Sequence, residues 1–293
     1  MTAASVTLYL MTEKGYRVLL HITQHLDKSV VKYVVGAQDK NLANDYFIEI
    51  QSLCAREGIP FYNRLGAPTL NSVFTLAISW RWLIQNANSL IVLHDSLLPR
   101  YRGFAPLVNC LIRGESEIGV TALYASAEFD RGDIIAQASR AVCYPMTIAQ
   151  AIELSIGCYT DIVDRLWPNL KAGLPLPAEP QHDDQATYSL WRDEEDYRID
   201  WNYDSIYLKR FIDALGWPYK GAATLMNDQL FRVTGAQVEP DVFIENRTCG
   251  KVLFMPNQQP VVVCGTGLLK ITALQHENGN SVLPLKQFRV RFR

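Results

Sequence analysis

His94 ends the apolar run Ser89-Leu-Ile-Val-Leu93 and opens the polar stretch Asp95-Ser-Leu-Leu-Pro-Arg-Tyr-Arg-Gly103, so an imidazole stands where a strand gives way to a loop. Asp130 follows in Asp130-Arg-Gly-Asp-Ile-Ile-Ala-Gln137, a turn that carries a glycine. An imidazole changes charge near neutral pH, and a nearby carboxylate can orient it and hold its proton, so the two could handle a proton together. Alone, His94 would cap a strand end and Asp130 would fix a turn. The long polar motif around each points instead to an active site.

These residues need elements to hold them. Short β-rich runs alternate with helical patterns through the first half, which predicts an α/β domain with a three-layer sheet. Strands are expected at 6–11, 32–36, 60–62, 75–80 and 89–93, with helices between them. One helix covers 46–57, where Phe47, Ile48, Ile50, Leu53 and Cys54 form an apolar stripe that stops at Gly58. A helix over 105–113 stops at Gly114, with Pro106 in its first turn. A strand pair at 119–126 and 134–142 flanks Asp130, and a long helix over 147–170 precedes Gly173. The stretch Leu174-Pro-Leu-Pro-Ala-Glu-Pro cannot continue a helix and marks a connection. The boundary is placed near 195, giving domains 1–195 and 196–293. The second is β-rich, with a helix at 205–215 and strands at 229–238, 250–255, 261–264 and 268–274. Gly265-Thr-Gly267 between two apolar runs reads as a hairpin turn, not a phosphate loop. No GxGxxG occurs in the N-terminal region, so no dinucleotide site is implied.

Composition narrows the class. With 48% hydrophobic and 20% charged residues the chain reads as globular, and a net charge of −2 gives no bulk attraction to nucleic acid or anionic membrane. No apolar stretch is long enough to span a bilayer and the N-terminus has no signal-peptide pattern, so a cytoplasmic location is expected. Cys54, Cys110, Cys143, Cys158, Cys249 and Cys264 are scattered with no CxxC, which suggests buried free thiols and no metal site.

The stretch from His94 to about Gln137, including Leu97-Leu-Pro-Arg-Tyr-Arg-Gly103-Phe-Ala-Pro106 and Gly114-Glu-Ser-Glu-Ile-Gly119, resembles the signature of the folate-dependent formyltransferases. That family includes enzymes acting on methionyl-tRNA, on glycinamide ribonucleotide and on nucleotide-linked aminosugars. The resemblance implies a Rossmann-like catalytic domain that moves a formyl group from 10-formyltetrahydrofolate to an amine. The reaction passes through a tetrahedral oxyanion while the amine sheds a proton. His94 and Asp130 then take the places of the family's catalytic His and Asp. Its Asn, two residues before the His, is replaced by Val92, which can donate nothing. The loop holding Arg81, Trp82 and Leu83 and the loop holding Ala127, Glu128 and Phe129 correspond to the two sides of the pterin pocket, which the family reads largely through backbone groups.

The segments Asp196-Tyr-Arg-Ile-Asp-Trp201, Trp217-Pro-Tyr-Lys-Gly-Ala222 and 262–275 resemble the small OB-like domain of the tRNA and aminosugar enzymes. Glycinamide ribonucleotide enzymes lack such a domain. A tRNA enzyme should carry basic clusters, yet residues 201–293 hold 11 Lys/Arg against 7 Asp/Glu, concentrated in Lys286-Gln-Phe-Arg-Val-Arg-Phe-Arg293. The tail's alternation reads first as an edge strand and second as a polyanion contact. The expected acceptor is therefore a nucleotide-activated aminosugar of a surface glycan such as lipopolysaccharide O-antigen, with Tyr219 a candidate contact for the base and packing its equal alternative. Methionyl-tRNA is the alternative acceptor, and a weakened relative that binds folate or a nucleotide sugar without turnover is the alternative from outside catalysis. A homodimer is compatible with all three.

Overall fold

The computed structural model describes residues 4–293 apart from 41, 43, 69, 70 and 86. Contacts divide the chain into two units, one of residues 1–106, 117–141 and 152–190, the other of 107–116, 142–151 and 191–293.

The first unit is built on a seven-stranded sheet. β1 (Val6–Leu10), β2 (Val31–Gly36), β3 (Phe61–Asn63), β4 (Phe74–Ile78) and β5 (Leu90–His94) are parallel; β7 (Glu117–Tyr124) and β8 (Ile134–Ala141) continue the sheet antiparallel, in the order β3-β2-β1-β4-β5-β7-β8. The short strands β6 (Arg102–Gly103) and β9 (Tyr188–Ser189) pair with each other.

Strand alternation sorts the side chains between two faces. One face, with Leu8, Val34, Leu76, Ile91, Leu93 and Ala122, packs against α1 (Thr12–His25), α2 (Phe47–Glu57) and α4 (Ile148–Ala172) in a single apolar core. Helices α1 and α2 lie in the connections from β1 to β2 and from β2 to β3. The opposite face carries Thr7, Tyr9, Val92 and His94 and is crossed by connecting segments.

The expectation of a helix between every pair of N-terminal strands is corrected here. Among the described residues, the connections 64–73 and 79–89 hold no α-helix, only the 3₁₀ turn Arg64–Gly66. Ten residues with Gly66 and Pro68 are too few to build a helix and still pass over β2 and β1 to reach β4. A cavity of about 360 Å³ occupies that space, lined by Thr7, Tyr9 and Thr75 of the sheet and Arg64, Trp80 and Trp82 of the connections.

In the second unit α3 (Pro106–Arg113) and α5 (Ser205–Ala214) accompany an antiparallel sheet, β10 (Ala222–Met226), β11 (Gln229–Glu239), β14 (Leu268–Gln275), β13 (Val261–Val263) and β12 (Val252–Phe254), in that spatial order. Helix α5 starts on Asp204, whose carboxylate accepts from Tyr207 N, and packs on β11. The C-terminal tail bonds at both margins of the sheet. Arg293 exchanges two backbone bonds with Leu225 of β10, while Phe292 N donates to Gly250 O and Val252 N to Val290 O beside β12. Val290 and Phe292 are buried and Arg289 and Arg291 are exposed, so the alternation of the tail closes the β-rich domain and shields its edges. Strand β10 was not expected from sequence, and β12 spans three residues where six were expected.

Candidate active site

His94 is the last residue of β5 and is 8% exposed. A carbonyl oxygen only accepts, so the 2.9 Å contact to Tyr101 O has Nε2–H donating and leaves Nδ1 as the working nitrogen. Nδ1 lies 3.5 Å from Asp130 Oδ1, longer than a good hydrogen bond. The spacing brings the two groups together without closing the gap between them. Asp130 Oδ2 accepts from Gly103 N at 2.8 Å, which fixes the carboxylate on its other oxygen.

The loop from 125 to 133 leaves β7 beside Leu90, where Ala125 N donates to Leu90 O, at the opposite end of β5 from His94. It must fold back along the strand to bring Asp130 to His94. Asp130 takes a positive φ of 56° to do so. Two motif glycines have steric causes. A Cβ on Gly132 would stand 1.7 Å from Tyr124 O, and one on Gly103, at φ 102°, would stand 2.5 Å from Ser189 O.

The loop after β5 is pinned by a closed set of bonds. Thr121 Oγ1 donates to Ser96 O and accepts from Leu98 N and from Gln137 Nε2, which also donates to Leu98 O. Asp95, on the helical side of the sheet, pairs with Lys14 at 2.5 Å and accepts from the buried Tyr159 hydroxyl at 2.9 Å. Burial, with Asp95 beside it, pushes the Tyr159 phenol well above its usual pKa. The strand end that carries His94 is thereby anchored from both faces.

Val92 pairs in register with Ala77 and Leu123, and His94 with Thr121, so Val92 and His94 share a sheet face. Neither Thr121 nor the Gln137 amide can stand in for a missing donor at Val92, because the bonds above already use the hydroxyl hydrogen and both amide hydrogens.

Arg81, Trp82 and Leu83 follow β4, the neighbour of β5, and all three are exposed. The Arg81 guanidinium pairs with Asp39 at 2.6 Å. Trp82 packs edge-on against Trp80 and carries the Arg64 guanidinium over its ring at 4.2 Å. Ala127, Glu128 and Phe129 are exposed on the loop that delivers Asp130; Glu128 pairs with Arg131, and the Phe129 ring lies 6.3 Å from that of Phe104. The connections from β4 to β5 and from β7 to β8 thus stand on either side of the strand bearing Val92 and His94. Tyr219 lies in the second unit, half-buried in the turn after α5, where its backbone N donates to Gly216 O.

Sequence reasoning missed Gln181, Arg102 and Asp183. Gln181 Nε2 donates to Asp130 O and Gly132 O, both at 2.8 Å, and its Oε1 accepts from Arg102 Nε at 3.0 Å and Nη2 at 2.8 Å. Arg102, 1% exposed, also reaches Asp183 at 2.8 Å. Hydrogen bonds from Arg102 and Arg131 hold the Asp183 carboxyl below its usual pKa. The arginine of Tyr-Arg-Gly was visible as a motif residue; its partner was not, because residues 174–190 show no periodicity. Among the described residues no His, Cys, Asp and Glu cluster is placed to hold a metal, and no helix is long and apolar enough to cross a membrane.

Comparison with known proteins places the chain in a family. The Formyl transferase family matches residues 71–153, and the Formyl transferase C-terminal domain family matches 192–290. A methionyl-tRNA formyltransferase of Geobacter sulfurreducens is 32% identical over 99% of this chain and 91% of its own length. One from Dechloromonas aromatica is 32% identical over 68% of this chain, and that match covers 61% of the relative's length. Among solved structures, WlaRD, a sugar 3N-formyltransferase crystallised with dTDP and 5-N-formyl-THF, superposes with a TM-score of 0.70 at 13% identity, over 97% of this chain and 99% of its own. An N-formyltransferase from Helicobacter canadensis in complex with folinic acid and dTDP-3-aminofucose gives a TM-score of 0.70 at 13% identity, over 91% of this chain and 98% of its own. At such identity the likeness is one of fold. With two family matches on its two halves and a relative aligned along nearly its whole length, the chain belongs to the formyl transferase family of one-carbon group-transfer enzymes.

Proposed function

We propose that the protein transfers a formyl group from 10-formyltetrahydrofolate to the amine of a nucleotide-linked aminosugar. The observation that carries the transfer step is the His94 and Asp130 pair, 3.5 Å apart, with His94 Nε2 committed to a carbonyl and Asp130 Oδ2 to a backbone N–H. As the amine attacks the formyl carbon, the C=O oxygen gains charge, and His94, protonated at Nδ1 and steadied by Asp130, donates to it. The proton shed by the amine is delivered to N10 of the folate as the adduct collapses and the formyl C–N10 bond breaks, giving the N-formyl product and tetrahydrofolate. The 81–83 and 127–129 segments hold the folate between them, and Tyr219, in the second domain, 196–293, is a contact for the base of the acceptor. Residues 1–195 form the catalytic part.

Charge supports the sugar over tRNA. Six of the eleven cations in residues 201–293 are engaged by carboxylates of their own unit: Lys209 with Asp213, Lys220 and Arg232 with Glu194, Lys270 with Glu239, Arg247 with Asp241 and Arg293 with Asp228. A paired cation has little to offer a phosphate. Solved relatives crystallised with dTDP or a dTDP-aminosugar share the fold along both halves, which supports the same reading. A second reading, with methionyl-tRNA as acceptor, draws on the names of the sequence relatives and on Lys251, Lys286, Arg289 and Arg291, which have no carboxylate partner among the described residues. Formylation assays with 10-formyltetrahydrofolate and either a panel of nucleotide aminosugars, dTDP-3-aminofucose included, or charged initiator tRNA decide between them. Far more efficient formylation of tRNA than of any sugar would reject the proposal. The product's use would be in a surface glycan.

A further inference from the structure

We propose that Gln181 is a positioning residue that sets the geometry of the His94 and Asp130 pair, an inference that rests on reading this pair as the catalytic centre. The segment from 179 to 189 is fastened at both ends. Glu179 exchanges two backbone bonds with Ile134 at the start of β8. At the other end Thr187 N donates to Pro99 O, Thr187 O accepts from Arg102 N, Thr187 Oγ1 accepts from Tyr101 N, and Ser189 O accepts from Phe104 N. Between these anchors Gln181 joins the two strips of backbone that touch the pair.

On one side its amide N–H groups hold Asp130 O and Gly132 O, the carbonyl of the positive-φ residue itself and that of the second residue after it. An aspartate in this conformation is held there by its surroundings, and two donors on the turn are such surroundings. On the other side its Oε1 takes two N–H groups of the fully buried Arg102 guanidinium. Arg102 lies between Tyr101, whose carbonyl receives His94 Nε2–H, and Gly103, whose N–H holds Asp130 Oδ2. One side chain therefore fixes the Asp130 loop relative to the strip that orients both working groups. Its hydrogen bonds go to Arg102 and to the carbonyls of Asp130 and Gly132 and not to the His94 ring or the Asp130 carboxylate, so its effect runs through position.

The amide is suited to this and a carboxylate is not. Gln181→Glu keeps an acceptor for Arg102, now charge-assisted, but has no N–H for the two carbonyls and sets an anion against them. A residue whose work was only to satisfy Arg102 would tolerate that change. The test is ¹⁵N NMR of the His94 imidazole, assigned by its loss in His94→Ala, together with thermal melting and 5-formyltetrahydrofolate titration. Turnover is measured with dTDP-3-aminofucose or charged initiator tRNA, whichever the parent formylates.

Gln181→Glu is expected to melt within a few degrees of the parent and to bind the folate within about two-fold. Its His94 resonances should move in the direction seen in Asp130→Asn, and kcat should fall at least ten-fold with little change in folate KM. If the glutamate variant does not fold, Gln181→Asn, whose shorter amide cannot span both sides, goes through the same measurements and should shift the same resonances. His94 resonances that stay at the parent position in the folded variant, while Asp130→Asn moves them, would overturn the inference. Parental turnover in His94→Ala and Asp130→Asn would instead remove the catalytic pair itself, and the inference with it.

Discussion

Replacing Asp130 by Asn removes one charge and little else. The Asn side-chain oxygen can still accept the Gly103 N–H that Asp130 Oδ2 now takes at 2.8 Å, and Gln181 still holds the turn through its carbonyls. What disappears is the interaction of a carboxylate with the imidazolium of His94 at 3.5 Å. At an effective dielectric of about 20 a unit-charge pair at that distance is worth roughly 4–5 kcal/mol. The groups are 8% and 15% exposed, so screening by water removes only part of it. If His94 is cationic in the transition state, about 3–4 kcal/mol of stabilisation goes with the charge, on the order of 10²–10³-fold in kcat. Folate bound in the ground state does not need that charge, so the affinity for 5-formyltetrahydrofolate should stay within about three-fold by calorimetry. Residues acting as one unit lose their contribution together, so His94→Ala with Asp130→Asn should be scarcely slower than His94→Ala alone. A loss smaller than about ten-fold in Asp130→Asn, or multiplying losses in the double variant, would refute the mechanism.

Val92→Asn restores an amide donor on the face of β5 that carries His94; if the site merely lacks a donor there, kcat should rise by up to roughly 100-fold, since one oxyanion donor is worth about 3 kcal/mol. Unchanged turnover in initial-rate assays would show that the position does not face the oxyanion, and a loss would show that Val92 belongs to a working arrangement of its own. Arg102→Lys cannot reproduce the fork that holds Gln181 and Asp183, and should cost about 2–4 kcal/mol, read as a melting temperature lower by roughly 5–10 °C, with a parental value rejecting a structural role for the guanidinium. Burial pushes the thiols of Cys54 and Cys264 up to about 12 and that of Cys158 up to about 11, while Cys143 is exposed, so a thiol reagent at pH 8 should label Cys143 and leave those three untouched until the protein is denatured. Rapid labelling of Cys54, Cys158 or Cys264 by mass spectrometry would contradict the packing.

The legible and hidden parts of the site differ in how they depend on distance along the chain. His94, Asp130 and the glycines beside them stand in unbroken motifs, and their neighbours in sequence are their neighbours in space. Gln181 is 51 residues from the Asp130 carbonyl it holds, and Lys14 is 81 residues from Asp95. Nothing local announces either, because each is placed by the sheet order and by loops with no period. The expected helices failed for the same reason at 64–73, where chain length and not propensity decides how β3 reaches β4.

Strand β5 shows the limit most sharply. Its first four residues, Leu90-Ile-Val-Leu93, form an uninterrupted apolar run of the kind buried on both sides. In the fold Ile91 and Leu93 do pack against the helices, while Val92 turns with His94 toward the loops that carry Asp130 and the 81–83 segment. An amide at 92 would have broken the apolar run and exposed the alternation. A valine there conceals the reactive face from any reading of hydrophobicity, and only the register between β4, β5 and β7 reveals that an apolar side chain occupies a polar position. The substitution that makes the chemistry hardest to account for is therefore the one that pattern alone could not have flagged; it became visible through family resemblance, and its geometry through strand pairing.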